Sequence, residues 1–114
     1  MRFNITSVLV VALLTFSAPS APEQTWTGTI SDSMCGTSHA KRAEAGHWTE
    51  RECVIECIKG LAEYVLVDQN QNVIRIANQD FVGLPFRAGR AVRITGELKN
   101  GAIVITNLEA ASAE

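Results

Sequence analysis

A basic surface is what this chain most obviously lacks. Ten Lys and Arg stand against twelve Asp and Glu, for a formal net charge of −2. That balance leaves out the Lys/Arg patch that nucleic-acid binding requires and the polybasic segment that draws a protein to anionic lipid. Aromatic residues make up only 6% of the chain, with a single tyrosine, so a stacking platform for single-stranded nucleic acid is missing too. The longest apolar run, Ile5 to Phe16, is broken by Thr6, Ser7 and Thr15 and falls short of the about 20 apolar residues that span a bilayer. Several catalytic signatures are also absent. The serines sit in no nucleophile elbow, no glycine-rich loop cradles phosphate, and Asp32 with Glu56 makes no convincing carboxylate pair. There is no Cys-x-x-Cys-His for covalent haem. These absences favour a binding module over an enzyme.

The N-terminus shows a different pattern. Arg2 is followed by the apolar run and then by Ser17-Ala18-Pro19-Ser20-Ala21-Pro22. A charged start, a short apolar core and a small-residue exit make a cleaved secretory leader. Residues 1–21 are read as this signal peptide, with cleavage after Ser20 or Ala21, and 22–114 as one domain; an uncleaved anchor is the alternative. No cysteine marks a lipoprotein exit, and no membrane span remains after leader cleavage. The expected location is periplasmic or secreted.

Beyond the leader, β-prone runs alternate with turn residues. In Thr25–Ser31, Trp26, Gly28 and Ile30 share one face. Tyr64–Val67 and Val73–Ile76 flank a polar turn and form a hairpin. Ala91–Leu98 alternates Val92, Ile94 and Gly96 against Ala91, Arg93 and Thr95, and Lys99-Asn100-Gly101 is a tight-hairpin turn leading to Ala102–Leu108. Glycines 28 and 96 inside strands suggest bends in a coiled sheet. Thr49-Glu50-Arg51-Glu52 is a capping box that opens a helix ending at Gly60, with Cys53, Val54, Cys57, Ile58 and Leu61 on its apolar side. A short helical turn is expected within Asn78–Gly89, limited by Pro85, with Phe81, Leu84 and Phe86 packed on the sheet. The fold expected is mainly β, a five-stranded OB-like barrel with one helix in a long Cys/His-bearing loop between strands 1 and 2.

A domain this small gains from a disulfide or metal staple. Its three cysteines, Cys35, Cys53 and Cys57, and both histidines, His39 and His47, fall in one segment. Cys53 and Cys57, four residues apart, project to one side of a helix. With Cys35 and His39 they make three sulfurs and an imidazole, a donor set for tetrahedral zinc or another thiophilic transition metal. Two other readings stay open. Export favours pairing, and a disulfide from Cys35 to Cys53 or Cys57 leaves one odd thiol; a Cys53–Cys57 bridge requires a distorted helix. Alternatively, Cys53 and Cys57 are a redox-active pair, which predicts a lowered thiol pKa. His47 is assigned a structural role. Asp32 caps the turn before Cys35 or supports His39 from behind.

The string Trp26-Thr27-Gly28-Thr29-Ile30-Ser31-Asp32-Ser33-Met34-Cys35-Gly36-x-x-His39, with Cys53-x-x-x-Cys57-Ile58-Lys59-Gly60, Tyr64–Val67 and Ala88–Gly96, resembles a group of small secreted bacterial domains of unknown function. The resemblance implies an exported OB-like barrel with a decorated first loop and carries no activity with it. The expected function is an exported binding module whose Cys/His cluster holds a transition metal or is disulfide-stabilised. The alternatives are a thiol-disulfide redox protein using Cys53 and Cys57, and a structural envelope domain that binds a protein partner.

Overall fold

The computed structural model describes residues 10–13, 21–37 and 49–111. His39, His47 and most of the leader lie outside the described residues. Within them the chain runs β1 (Gln24–Asp32), α1 (Glu50–Lys59), β2 (Tyr64–Asp68), β3 (Val73–Ile76), α2 (Leu84–Arg87), β4 (Ala91–Lys99) and β5 (Ala102–Ala110). No helix among the described residues is long and apolar enough to cross a membrane.

The strands close into a ring in the order β1-β2-β3-β5-β4. Every pairing is antiparallel except that of β3 with β5. Alternation decides which side chains face the interior: Val92, Ile94 and Gly96 are buried, whereas Ala91 and Arg93 are exposed. The core joins Ile30, Leu66, Ile76, Val92, Ile94, Ile103 and Ile105 from the strands to Val54 of α1 and Leu84 of α2. At the Asn100-Gly101 turn both residues have positive φ, 52° and 78°, as the tight hairpin turn requires.

Closure depends on close backbone approach. A Cβ on Gly28 would strike the carbonyl of Val67, and one on Gly96 the carbonyl of Val104. The β4–β5 register shifts between Thr95 and Gly96, a bulge that bends the strand where the ring must curve.

The weakest seam is β3–β5, whose parallel pairing covers only Arg75↔Ala102 and Ile76↔Ile103. One side-chain amide, Asn78, extends it to β5, and a second, Gln79, ties the same connection to β2 and β3. Asn78 donates Nδ2–H to the Ile105 carbonyl at 2.9 Å and accepts the Ile105 N–H through Oδ1 at 2.8 Å. Gln79 accepts the Tyr64 N–H at 2.7 Å and donates to the Tyr64 and Ile76 carbonyls at 2.9 and 2.8 Å. Each amide acts as a surrogate peptide group and satisfies backbone that would otherwise be buried without a partner.

The structure differs from the sequence expectations at two side chains. Phe86 is 72% exposed rather than packed on the sheet, because a single helical turn directs only Leu84 and the preceding Phe81 inward. Leu61 is 93% exposed because the helix has already ended. Gly60 has an ordinary φ of −82°, and Leu61 is the residue in the left-handed region, at φ 73°. The amides of Leu61 and Ala62 bond back to the carbonyls of Ile58 and Cys57, the Schellman arrangement.

Two stability changes of opposite sign are expected. Leu61→Gly relieves the left-handed strain with little burial to lose, and raises unfolding free energy by about 0.5–1 kcal/mol. Asn78→Ala orphans both polar groups of Ile105 and lowers it by about 1–3 kcal/mol. Urea denaturation midpoints of the two variants measure both effects.

Candidate metal centre

The first cysteine is placed by the end of β1. Asp32 is fully buried, and its Oδ1 accepts the amides of Met34 at 2.9 Å and Cys35 at 3.0 Å. Its carbonyl accepts the amide of Gly36 at 2.9 Å, and the Ser31 hydroxyl donates to the Gly36 carbonyl at 2.7 Å. Gly36 has φ +51°, which lets the turn close on itself. Capping this turn, one of the two roles considered for Asp32, is observed; the other involves His39, which lies outside the described residues.

The other two cysteines are placed by α1. Its N-terminus has the full capping box: Glu52 N–H donates to Thr49 Oγ1 at 3.2 Å, and Thr49 N–H donates to Glu52 Oε2 at 3.3 Å. Glu50 and Glu52 in the first turn and Lys59 in the last complement the helix dipole. Arg51 reaches from α1 to the carbonyls of Phe86 and Ala88, both at 3.2 Å. Gly89 lies so close beneath the helix that a Cβ there would meet Arg51 backbone at 2.6 Å. With Val54 in the core, these contacts fix the rotation of α1, so that Cys53 and Cys57 both turn inward, 0% and 7% exposed.

Together these two anchors bring the Sγ atoms of Cys35, Cys53 and Cys57 within 4.8 Å of one another. Cys35 and Cys57 are 3.9 Å apart. Sulfurs bound to tetrahedral zinc at about 2.3 Å lie about 3.8 Å from each other, so the observed edge is already close to that spacing. Cys35 is half-buried, and Cys57 opens onto a shallow concavity that it shares with Met34, Glu56 and Gly60. A separate concavity bordered by Thr29, Ser31, Thr37, Glu50 and Gln71 contains no sulfur. Of the four ligands expected from the sequence, three converge, and His39 lies outside the described residues.

Burial pushes the Cys57 thiol up to about 12 from 9.0, helped by the nearby Asp32 carboxylate and by its neighbours Cys35 and Cys53. Cys57 is therefore a thiol at neutral pH. A redox pair needs ready access to thiolate, so this shift counts against Cys57 as a redox nucleophile. A bound cation has the opposite effect, since it deprotonates a coordinating thiol outright. No protein-family model, no curated protein and no solved structure matches this chain.

The raised Cys57 pKa makes stability depend on pH with a definite sign. An acid whose folded pKa exceeds its unfolded value contributes stability that is intact below the unfolded pKa and is lost as pH rises through the folded one. Reduced, metal-free protein should therefore lose stability from pH 9 toward 12. Tyr64, whose phenol is also raised by burial, adds to the loss at the alkaline end. Urea midpoints across that range should fall for the parent chain and fall less steeply for Cys57→Ser.

Proposed function

We propose that this chain is an exported, non-enzymatic module with an OB-like barrel that binds one thiophilic transition ion, zinc or a similarly soft metal. Its ligands are Cys35, Cys53 and Cys57, with His39 as the fourth. The observation that carries this reading is the convergence of three thiols, from two separate elements, within 4.8 Å. Structural zinc sites commonly use three cysteines and one histidine, and they contribute folding free energy directly. Such a staple suits a small ring whose β3–β5 seam is only two residue pairs long. The strand order, the parallel closure of β3 on β5 and the helix-bearing first connection support the OB-like reading. The leader pattern at residues 1–21 supports export.

In the absence of metal, the buried thiols and the Asp32 carboxylate disfavour ionisation at Cys57. Binding a cation expels the thiol protons and converts that unfavourable cluster of potential anions into a ligand shell. Affinity should consequently rise with pH.

Reduced protein purified without chelator should carry about one equivalent of metal by elemental analysis and lose thermal stability when the metal is stripped. Cys53→Ser should weaken binding by about a hundredfold or more, beyond the effect of losing an outer-sphere partner. His39→Ala tests the fourth ligand by the same titration. Reduced protein that retains and takes up no stoichiometric metal would sink the reading.

A further inference from the structure

The three sulfurs are not equivalent. Cys53 is completely buried and belongs to the first turns of α1, where its amide donates to the Thr49 carbonyl at 3.0 Å. Cys57 lies one turn on, and its carbonyl is held by the amide of Ala62 at 3.0 Å. A bond between these two would have to deform a helix fastened at both ends, since residues four apart sit at the upper limit of disulfide geometry. Cys35 is different. It stands on a turn, is only half-buried, and has its Sγ 3.9 Å from that of Cys57. Closing that gap to the about 2.05 Å of a disulfide calls for movement of Cys35 and its turn rather than of α1. Cys57 also borders the concavity beside Met34, so this edge of the cluster faces the approach of a small oxidant and Cys53 does not.

We propose that Cys35 and Cys57 are the oxidisable pair of this cluster, so that a disulfide and a metal ion compete for the same two sulfurs while Cys53 stays a thiol. The pairing stands on the geometry alone, and the competition rests on the metal-binding reading above. The oxidant is a small-molecule disulfide such as oxidised glutathione. The Cys35 thiolate attacks one of its sulfurs, the glutathione S–S bond breaks, and one glutathione leaves. Cys57, a thiol at neutral pH, is the slower partner: it attacks Cys35 Sγ in the mixed disulfide as its proton passes to the departing sulfur, releasing the second glutathione. The protein loses two electrons, the oxidant gains them, and the two cysteine protons end on two glutathione thiols. With two of its three thiolates consumed, the site no longer holds the ion.

The test is to treat the reduced, metal-free chain with oxidised glutathione, alkylate the remaining thiols, and map the peptides. Trypsin is combined with a glutamate-specific protease, because cleavage after Glu56 separates Cys53 from Cys57. The expected product links Cys35 to Cys57 and leaves Cys53 alkylated. A link containing Cys53, or no link, overturns the pairing. The same treatment of zinc-loaded protein should form the link about tenfold more slowly or less, with one zinc released per link. A link that forms at an unchanged rate with zinc retained overturns the competition. If the reduced chain takes up no zinc, the metal-binding reading fails and the competition with it, while the peptide map still decides the pairing. Cys53→Ser should keep the link and Cys57→Ser should abolish it.

Discussion

The Asp32 side chain does two things at once. Its Oδ1 holds the amides of Met34 and Cys35, which turns the chain sharply out of β1 and sets the position of the first sulfur. The residue itself is part of the sheet, opposite Tyr64 in the β1–β2 ladder. The turn is thus built on the most completely buried stretch of β1, where Ile30, Ser31 and Asp32 are all inaccessible. A short turn on an exposed loop would sample many positions for Cys35; one capped from inside a closed sheet samples few. Cys35 can therefore meet the helix without a covalent tie.

The second half of the cluster is organised by a different segment of the chain. The connection between β3 and β4 returns over the end of β1, where Gly89 donates to the Ile30 carbonyl at 2.8 Å and Ile30 donates to the Arg90 carbonyl at 3.1 Å. That connection is the floor on which α1 rests, through Gly89 and the Arg51 bridge. The sulfur triangle is consequently linked to ring closure. Asn78 and Gln79 fasten the start of the same connection to β5 and β2, so loosening them loosens the floor beneath the helix. Surface ion pairs such as Lys59–Glu56, at 3.1 Å and well exposed, add little by comparison.

Burial suits this cluster to holding a cation better than to rapid thiol chemistry. A redox cysteine works where nearby positive charge or a helix N-terminus stabilises its thiolate. Here Cys57 has burial and a neighbouring carboxylate instead, which favour the neutral thiol until a cation arrives. The same arrangement leaves one sulfur edge open, between a half-buried cysteine on a turn and a cysteine at the lip of a concavity. The proposed metal site and the proposed disulfide therefore share Cys35 and Cys57.

By itself the sequence determined the local pieces: the five strands to within a residue or two, the capping box at Thr49, the Asn100-Gly101 hairpin, and the two bending glycines. Each depends on neighbours a few positions apart, and period and turn chemistry encode such relations directly. It also singled out the cysteines as the chemical centre, since the rest of the chain offers no other concentrated set of soft ligands. Tertiary structure alone decided the distances between them. Whether Cys35 meets Cys53 and Cys57 depends on ring closure and on the seating of α1 over Gly89, and neither is written in local spacing. The surrogate pairing by Asn78 and Gln79 was equally invisible, because an amide in a polar connection shows no periodicity that marks its partner. Leu61 went wrong for a related reason: helical spacing carried the apolar stripe one residue past the point where hydrogen bonding had already ended the helix.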